Sequence, residues 1–102
     1  MISSKRDILT VIEANRGHIT ALGVKRLGLF GSFVRDEASG RSDIDFLVEF
    51  EPGRKTFDNF MQLAFLLETL LARPVELVTP ESVSPYLRPY IVREVEYVPL
   101  AA

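Results

Sequence analysis

The sequence predicts an α+β fold: a small mixed β-sheet of three to four strands with helices packed mainly on one face. Three observations lead there. Apolar residues recur at helical spacing in the N-terminal segment and again between Phe57 and Leu71. Three short apolar runs, KRLGLF, IDFLVEF and VELVT, are bounded by glycine, proline or polar turn residues, as strands are. The 102 residues are 47% hydrophobic with only 6 Gly and 6 Pro, enough for one core and too ordered in composition for a linker or a disordered tract. With no internal repeat, residues 1–102 read as a single domain.

In chain order, Ser4 to Asn15 is the first helix, with Ile8, Val11 and Ile12 on one face and Ser4 with Asp7 as a capping pair. Gly17 ends or bends it. His18 to Leu22 forms a second short turn closed at Gly23, with His18 at the surface. Lys25 to Phe30 is too short and apolar for a helix and reads as a buried strand ending at Gly31-Ser32. Along Ile44 to Phe50, Ile44, Phe46, Val48 and Phe50 point one way, and Asp45, Leu47 and Glu49 the other, which is a half-buried strand. Glu51 to Arg54 is turn chemistry, and Thr56 caps a long helix whose predicted core stripe is Phe57, Phe60, Met61, Ala64, Leu67, Leu70 and Leu71. Arg73-Pro74 stops it, and Val75 to Thr79 is a third strand. Thr79-Pro80 and Ser84-Pro85 are helix starts, but Pro89 delays a regular last helix to its own vicinity.

Composition excludes several chemistries. Twelve Lys and Arg against 14 Asp and Glu leave a net charge of -2, so bulk charge draws the protein neither to duplex nucleic acid nor to anionic lipid. The absence of cysteine removes disulfides, thiolate zinc sites and cysteine nucleophiles, and the lone His18 argues against a Ser-His-Asp relay. Carboxylates must therefore carry any metal chemistry. No apolar run approaches the ~18 residues of a membrane span, and MISSKRDIL lacks a secretory core, so a cytoplasmic protein without membrane attachment is expected.

The residues that suggest chemistry are Gly31-Ser32 and Asp43-Ile44-Asp45. Aspartates two apart on a strand share a face about 7 Å apart along the backbone, near enough to share hard divalent cations. Side by side they repel, so a cation or cationic partner is needed to compensate them. A strand ending in Gly-Ser lets backbone approach a phosphate and offers a hydroxyl and the amides of the helix expected to follow. Taken singly, each part also has a plainer reading: Gly31-Ser32 as a turn, Asp43 and Asp45 as a solvated strand edge, Arg35 as a surface charge, Glu76 as an exposed acid paired with Arg73 or Arg93.

Taken together, Gly31-Ser32, ten residues and Asp43-Ile44-Asp45 resemble the G-S-x(10)-D-x-D signature of the DNA polymerase β-like nucleotidyltransferase superfamily. The wider stretch GSFVRDEASGRSDIDFLV is similar to the form found in minimal nucleotidyltransferases, the MNT antitoxins, and the likeness of layout extends over nearly the whole chain. The resemblance implies a nucleotidyltransferase fold in which Asp43 and Asp45 bind two Mg²⁺ ions, Gly31 and Ser32 contact the nucleotide phosphates, and Glu76 takes the position of a third catalytic carboxylate and metal ligand. It further implies AMP transfer from ATP to a hydroxyl, a tyrosine, of a HEPN-type ribonuclease toxin, with which the protein can assemble. Arg35 and Glu37 match the family pattern. Glu76 replaces the commoner Asp, and Asp36 stands where the family has Gly.

Two other functions fit the same sequence. An inactive domain of this fold would neutralise its partner by contact alone, with Asp36 and Glu76 as signs of decay. A small-molecule nucleotidyltransferase is disfavoured because a chain this short has no second lobe to enclose a sugar or an antibiotic. The C-terminal Tyr86, Leu87, Tyr90, Ile91, Tyr97, Val98 and Leu100 supply interface anchors or core, with Leu87 and Ile91 expected under the sheet.

Overall fold

The computed structural model describes residues 2–100. Its elements run α1 (Lys5–Ala14), α2 (Arg16–Thr20), β1 (Val24–Phe30), β2 (Ile44–Phe50), α3 (Phe57–Leu71), β3 (Val75–Val78), a 3-10 turn (Pro80–Ser82), α4 (Arg88–Glu94) and β4 (Glu96–Tyr97). The strand order is β3-β2-β1-β4. β2 pairs antiparallel with β1 and parallel with β3, to which α3 carries the chain, and β4 pairs antiparallel with β1. The sheet is mixed, as expected, and has four strands.

Local chemistry sets the element ends. Ser4 Oγ accepts from the Asp7 amide at 3.3 Å, while the Asp7 carboxylate takes the amide and hydroxyl of Ser3 at 2.9 and 3.0 Å, so the reciprocal half of the cap falls one residue earlier than predicted. The break between α1 and α2 lies at Asn15, whose side chain donates to the Val11 carbonyl at 2.8 Å, and Gly17 sits inside α2. Gly23, at φ +86°, turns the chain into β1. Thr56 caps α3 by accepting from the Asn59 amide at 3.1 Å, and Ala72 ends it in the left-handed conformation at φ +53°.

One core fills the face between the sheet and the first three helices. Ile8, Ile12 and Ile19 from α1 and α2, Leu63, Leu67 and Leu71 from α3, and Leu27, Leu29, Ile44, Phe46 and Val48 from the strands are all at most 2% exposed. Burial of each such side chain stabilises by about 1.5–3 kcal/mol. Of the predicted α3 stripe Leu67 and Leu71 are buried and Phe60 and Leu70 pack against the core; the departures are Leu63, which the stripe omitted and which is buried, and Phe57, which is 77% exposed. FDNFMQLAFLLETLL is apolar on more than one side, so several phases satisfy its periodicity and only the seating on the sheet selects one.

α4 lies across the opposite face, where Leu87, Tyr90, Ile91 and Glu94 share a cleft with Phe30 and Asp45 of the sheet. Leu87 is 57% exposed and Ile91 only partly covered, so neither packs under the sheet as expected. The buried apolar residue of the C-terminal segment is Val98, whose amide donates to the Leu27 carbonyl at 2.8 Å as the chain leaves β4. Among the described residues no helix is long and apolar enough to cross a membrane.

Candidate active site

The strand register brings the singled-out residues together. Phe30 pairs with Asp45 across β1 and β2, and Asp45 pairs with Glu76 across β2 and β3, so one row crosses three strands with Asp45 at its centre. Asp43 sits one residue ahead of β2 and is exposed, as is Glu76. Immediately after β1, Gly31 adopts φ +82°, and a Cβ there would collide with the Asp45 carboxylate. A glycine is required at that position on both counts. Gly31 and Asp45 line a cleft of about 570 Å³ together with Arg35 and the inner side of α4. Asp43, Ser32 and Glu76 adjoin it without forming its wall.

The segment after Gly31-Ser32 is a chain of turns, not the helix expected from the sequence. The Val34 and Arg35 amides bond back to the Gly31 carbonyl at 3.1 and 3.2 Å, and the Glu37 amide to the Ser32 carbonyl at 2.8 Å. Asp36 has φ +59°, the left-handed region that Gly adopts freely and that Asp and Asn tolerate best among the other residues. The departure from the family's Gly at this position therefore keeps the backbone it needs.

Electrostatically the site is a cluster of acids centred on Asp45. Burial, then the neighbouring Glu76 carboxylate and then Asp43, push the Asp45 carboxyl up to about 6, against the opposing pull of Arg35. Neither Arg73 nor Arg93 appears opposite Glu76 among the ion pairs of the described residues. Arg73 instead donates to the carbonyls of Ile2, Ser39 and Ser42 at 3.3, 2.9 and 2.7 Å, tying down the loop that delivers Asp43.

Sequence reasoning missed Glu94. Its Oε2 accepts from the Gly31 amide at 2.7 Å, and the Arg35 guanidinium donates to its two oxygens at 2.9 and 3.2 Å. Arg35 also donates to Glu37 at 2.7 Å. It is thus a tethered cation at the mouth of the site, held more firmly in its charged form by Glu37 and then Glu94. The only signal in the sequence was an acid at the end of a segment dominated by apolar and aromatic residues.

No group of three Asp, Glu, His or Cys side chains is arranged to hold one ion by itself among the described residues. The donor set nonetheless suits Mg²⁺, which takes one or two carboxylates and completes its shell with water and substrate phosphate rather than with an all-protein cage.

A glycine turn closing one strand against an aspartate on its antiparallel neighbour, within a small mixed sheet backed by helices, defines a nucleotidyltransferase fold. A solved structure provisionally described as a minimal nucleotidyltransferase superposes with a TM-score of 0.70 at 36% identity, covering 86% of this chain and 93% of the other. The chain belongs to the nucleotidyltransferase domain family, which it matches over residues 8–98. It is similar to the protein adenylyltransferase MntA of Thermococcus cleftensis, with 37% identity over 93 residues spanning 90% of this chain and 93% of the relative. A Methanocaldococcus jannaschii protein provisionally described as a protein adenylyltransferase is 42% identical over 72 residues, 71% of this chain and 76% of that protein. A toxin–antitoxin complex solved with AMP-PNP contains a chain 26% identical, with a TM-score of 0.63 over 82% of this chain and 72% of that one.

Proposed function

We propose that this chain is a single minimal nucleotidyltransferase domain that transfers AMP from ATP to a hydroxyl, a tyrosine, of a HEPN-type ribonuclease toxin, and so acts in the cytoplasm as its antitoxin. The observation that carries the reading is the Asp45 carboxylate, partly buried, flanked by two further acids and set against the Gly31 turn. Such a group costs stability unless a cation joins it. The names of the adenylyltransferase relatives and the nucleotide-bound toxin–antitoxin neighbour support the choice of reaction and partner.

Asp43 and Asp45 would hold two Mg²⁺ ions, with Glu76 completing the set as ligand or base. When bound, the ions neutralise the triphosphate and make the acceptor hydroxyl more acidic. Gly31 and Ser32 offer a backbone amide and a hydroxyl to phosphate oxygens, which orients the α-phosphorus. Glu76, which pairs with Asp45 across β2 and β3, would take the acceptor proton as the oxygen attacks the α-phosphorus and pyrophosphate leaves. An acceptor delivered by a second protein suits a cleft that the chain leaves open on one side.

A second reading, an inactive domain that neutralises the toxin by binding alone, is favoured by one observation: the Gly31 amide is already occupied by Glu94. The experiment that separates the two is transfer of label from α-labelled ATP to the toxin. Asp43→Asn with Asp45→Asn abolishes transfer if the domain is an enzyme, while the melting temperature holds or rises as the repelling pair is neutralised. Transfer at the wild-type rate in that variant removes the catalytic assignment.

A further inference from the structure

Resting on the nucleotide site just described, the geometry points to Glu94 as an affinity-setting residue: an internal phosphate mimic that holds the donors of the triphosphate subsite until nucleotide displaces it. Three observations converge. The Glu94 carboxylate accepts from Gly31 N at 2.7 Å, and that amide belongs to the turn offered to phosphate. The same two oxygens share one Arg35 nitrogen, Nη1, at 2.9 and 3.2 Å, a charge-assisted contact that phosphate oxygens also satisfy. The carboxylate lies in the cleft that Asp45 lines, so carboxylate and triphosphate cannot hold those donors together.

Glu94 is also seated where it can leave. It is the last residue of α4, a seven-residue helix with no buried side chain. Leu87 and Tyr90, the residues that bring α4 against the cleft, are 57% and 66% exposed. A segment with so little buried apolar surface opens at low cost, and ligand binding draws on such segments. An anion in the subsite is compatible with the nearby acids only while a cation stands between them. Arg35 serves Glu94 in that way, and it is left facing the incoming phosphates once Glu94 withdraws. Apparent nucleotide affinity is then the intrinsic affinity reduced by the fraction of molecules in which Glu94 has vacated the donors.

The test is calorimetric titration of the full chain with AMP-PNP in Mg²⁺, for wild type, Glu94→Gln and Glu94→Ala. Both variants are expected to bind about 5–20-fold more tightly, the range set by loss of a charge-assisted competitor. Equal or weaker binding by both overturns the proposal and leaves the nucleotide site standing. No binding by any of the three, wild type included, overturns the nucleotide reading and this inference with it. An independent readout is the Gly31 amide proton in NMR. It should shift upfield in nucleotide-free Glu94→Ala, where the short bond to a carboxylate is lost, and return downfield on addition of AMP-PNP as a phosphate oxygen replaces it. An amide unmoved by the substitution shows that Glu94 does not hold it in solution.

Discussion

Asp45 shows how one residue can be poor for stability and good for chemistry. Its carboxyl titrates near 6 in the folded protein against 3.8 as a free side chain. The folded state therefore binds the proton more tightly than the unfolded state, and stability falls as pH rises from about 4 to about 6. Melting temperatures measured without metal should decline over that window in wild type. In Asp45→Asn the decline should be largely gone, leaving the variant the more stable protein above pH 6 and little different below pH 4. At Glu76 the expectation concerns rate. Glu76→Gln should lower label transfer at least about 10²-fold, the low end of what a general base contributes, with ATP binding largely kept. Glu76→Asp should retain part of the activity, because the acid is preserved one methylene short of its place. If both variants transfer at the wild-type rate, Glu76 is a surface acid.

At the scale of elements, the N-terminal helix, the three strands and the late start of α4 were legible because local signals agreed: capping serine, glycine breaks, period-two alternation, proline placement. Two features were not. The margins of the α3 stripe, Phe57 and Leu63, depend on which side meets the sheet, and the helix sequence is apolar on more than one. Leu67→Ala, at a fully buried position, should cost about 2–5 kcal/mol in chemical denaturation, whereas Phe57→Ala at a 77%-exposed position should stay within about 0.5 kcal/mol. A reversal of those magnitudes would turn Phe57 rather than Leu67 toward the core. The other feature is β4, a two-residue strand beyond sequence detection, recognised only by its pairing to Gly28 and Leu29. Gly28 makes room for it, since a Cβ there would strike Val95 and crowd the Tyr97 ring.

Over the whole molecule, charge balance near neutrality hides a sharply acidic site. The net charge is -2, yet Asp43, Asp45 and Glu76 gather at one end of the paired strands β2 and β3. A bare triphosphate approaching them is repelled. ATP should therefore bind at least about tenfold more tightly in Mg²⁺ than in EDTA, as read by calorimetry. Equal affinity in the two buffers would count against a metal-dependent site. The radius of gyration, 12.8 Å, matches the roughly 13 Å of a compact domain of 100 residues, and one core serves all three inner helices. The α4 face carries the exposed Tyr86, Leu87 and Tyr90 beside the cleft.

By itself the sequence determined the class of fold, the family, and the set of acids on which any chemistry must rest. Those properties are written in neighbouring residues: a ten-residue spacing, a period of two, a cap, a glycine. Tertiary structure alone decided that Asp45 rather than Asp43 is the strained member of the pair. Burial and the company of Glu76 come from strand pairing across about thirty residues of chain. It alone decided that Glu94 would close on Gly31, a hydrogen bond between positions 63 residues apart. Local sequence encodes which groups a chain carries and how its backbone turns, whereas the field and the partners each group meets are set by what folding brings beside it.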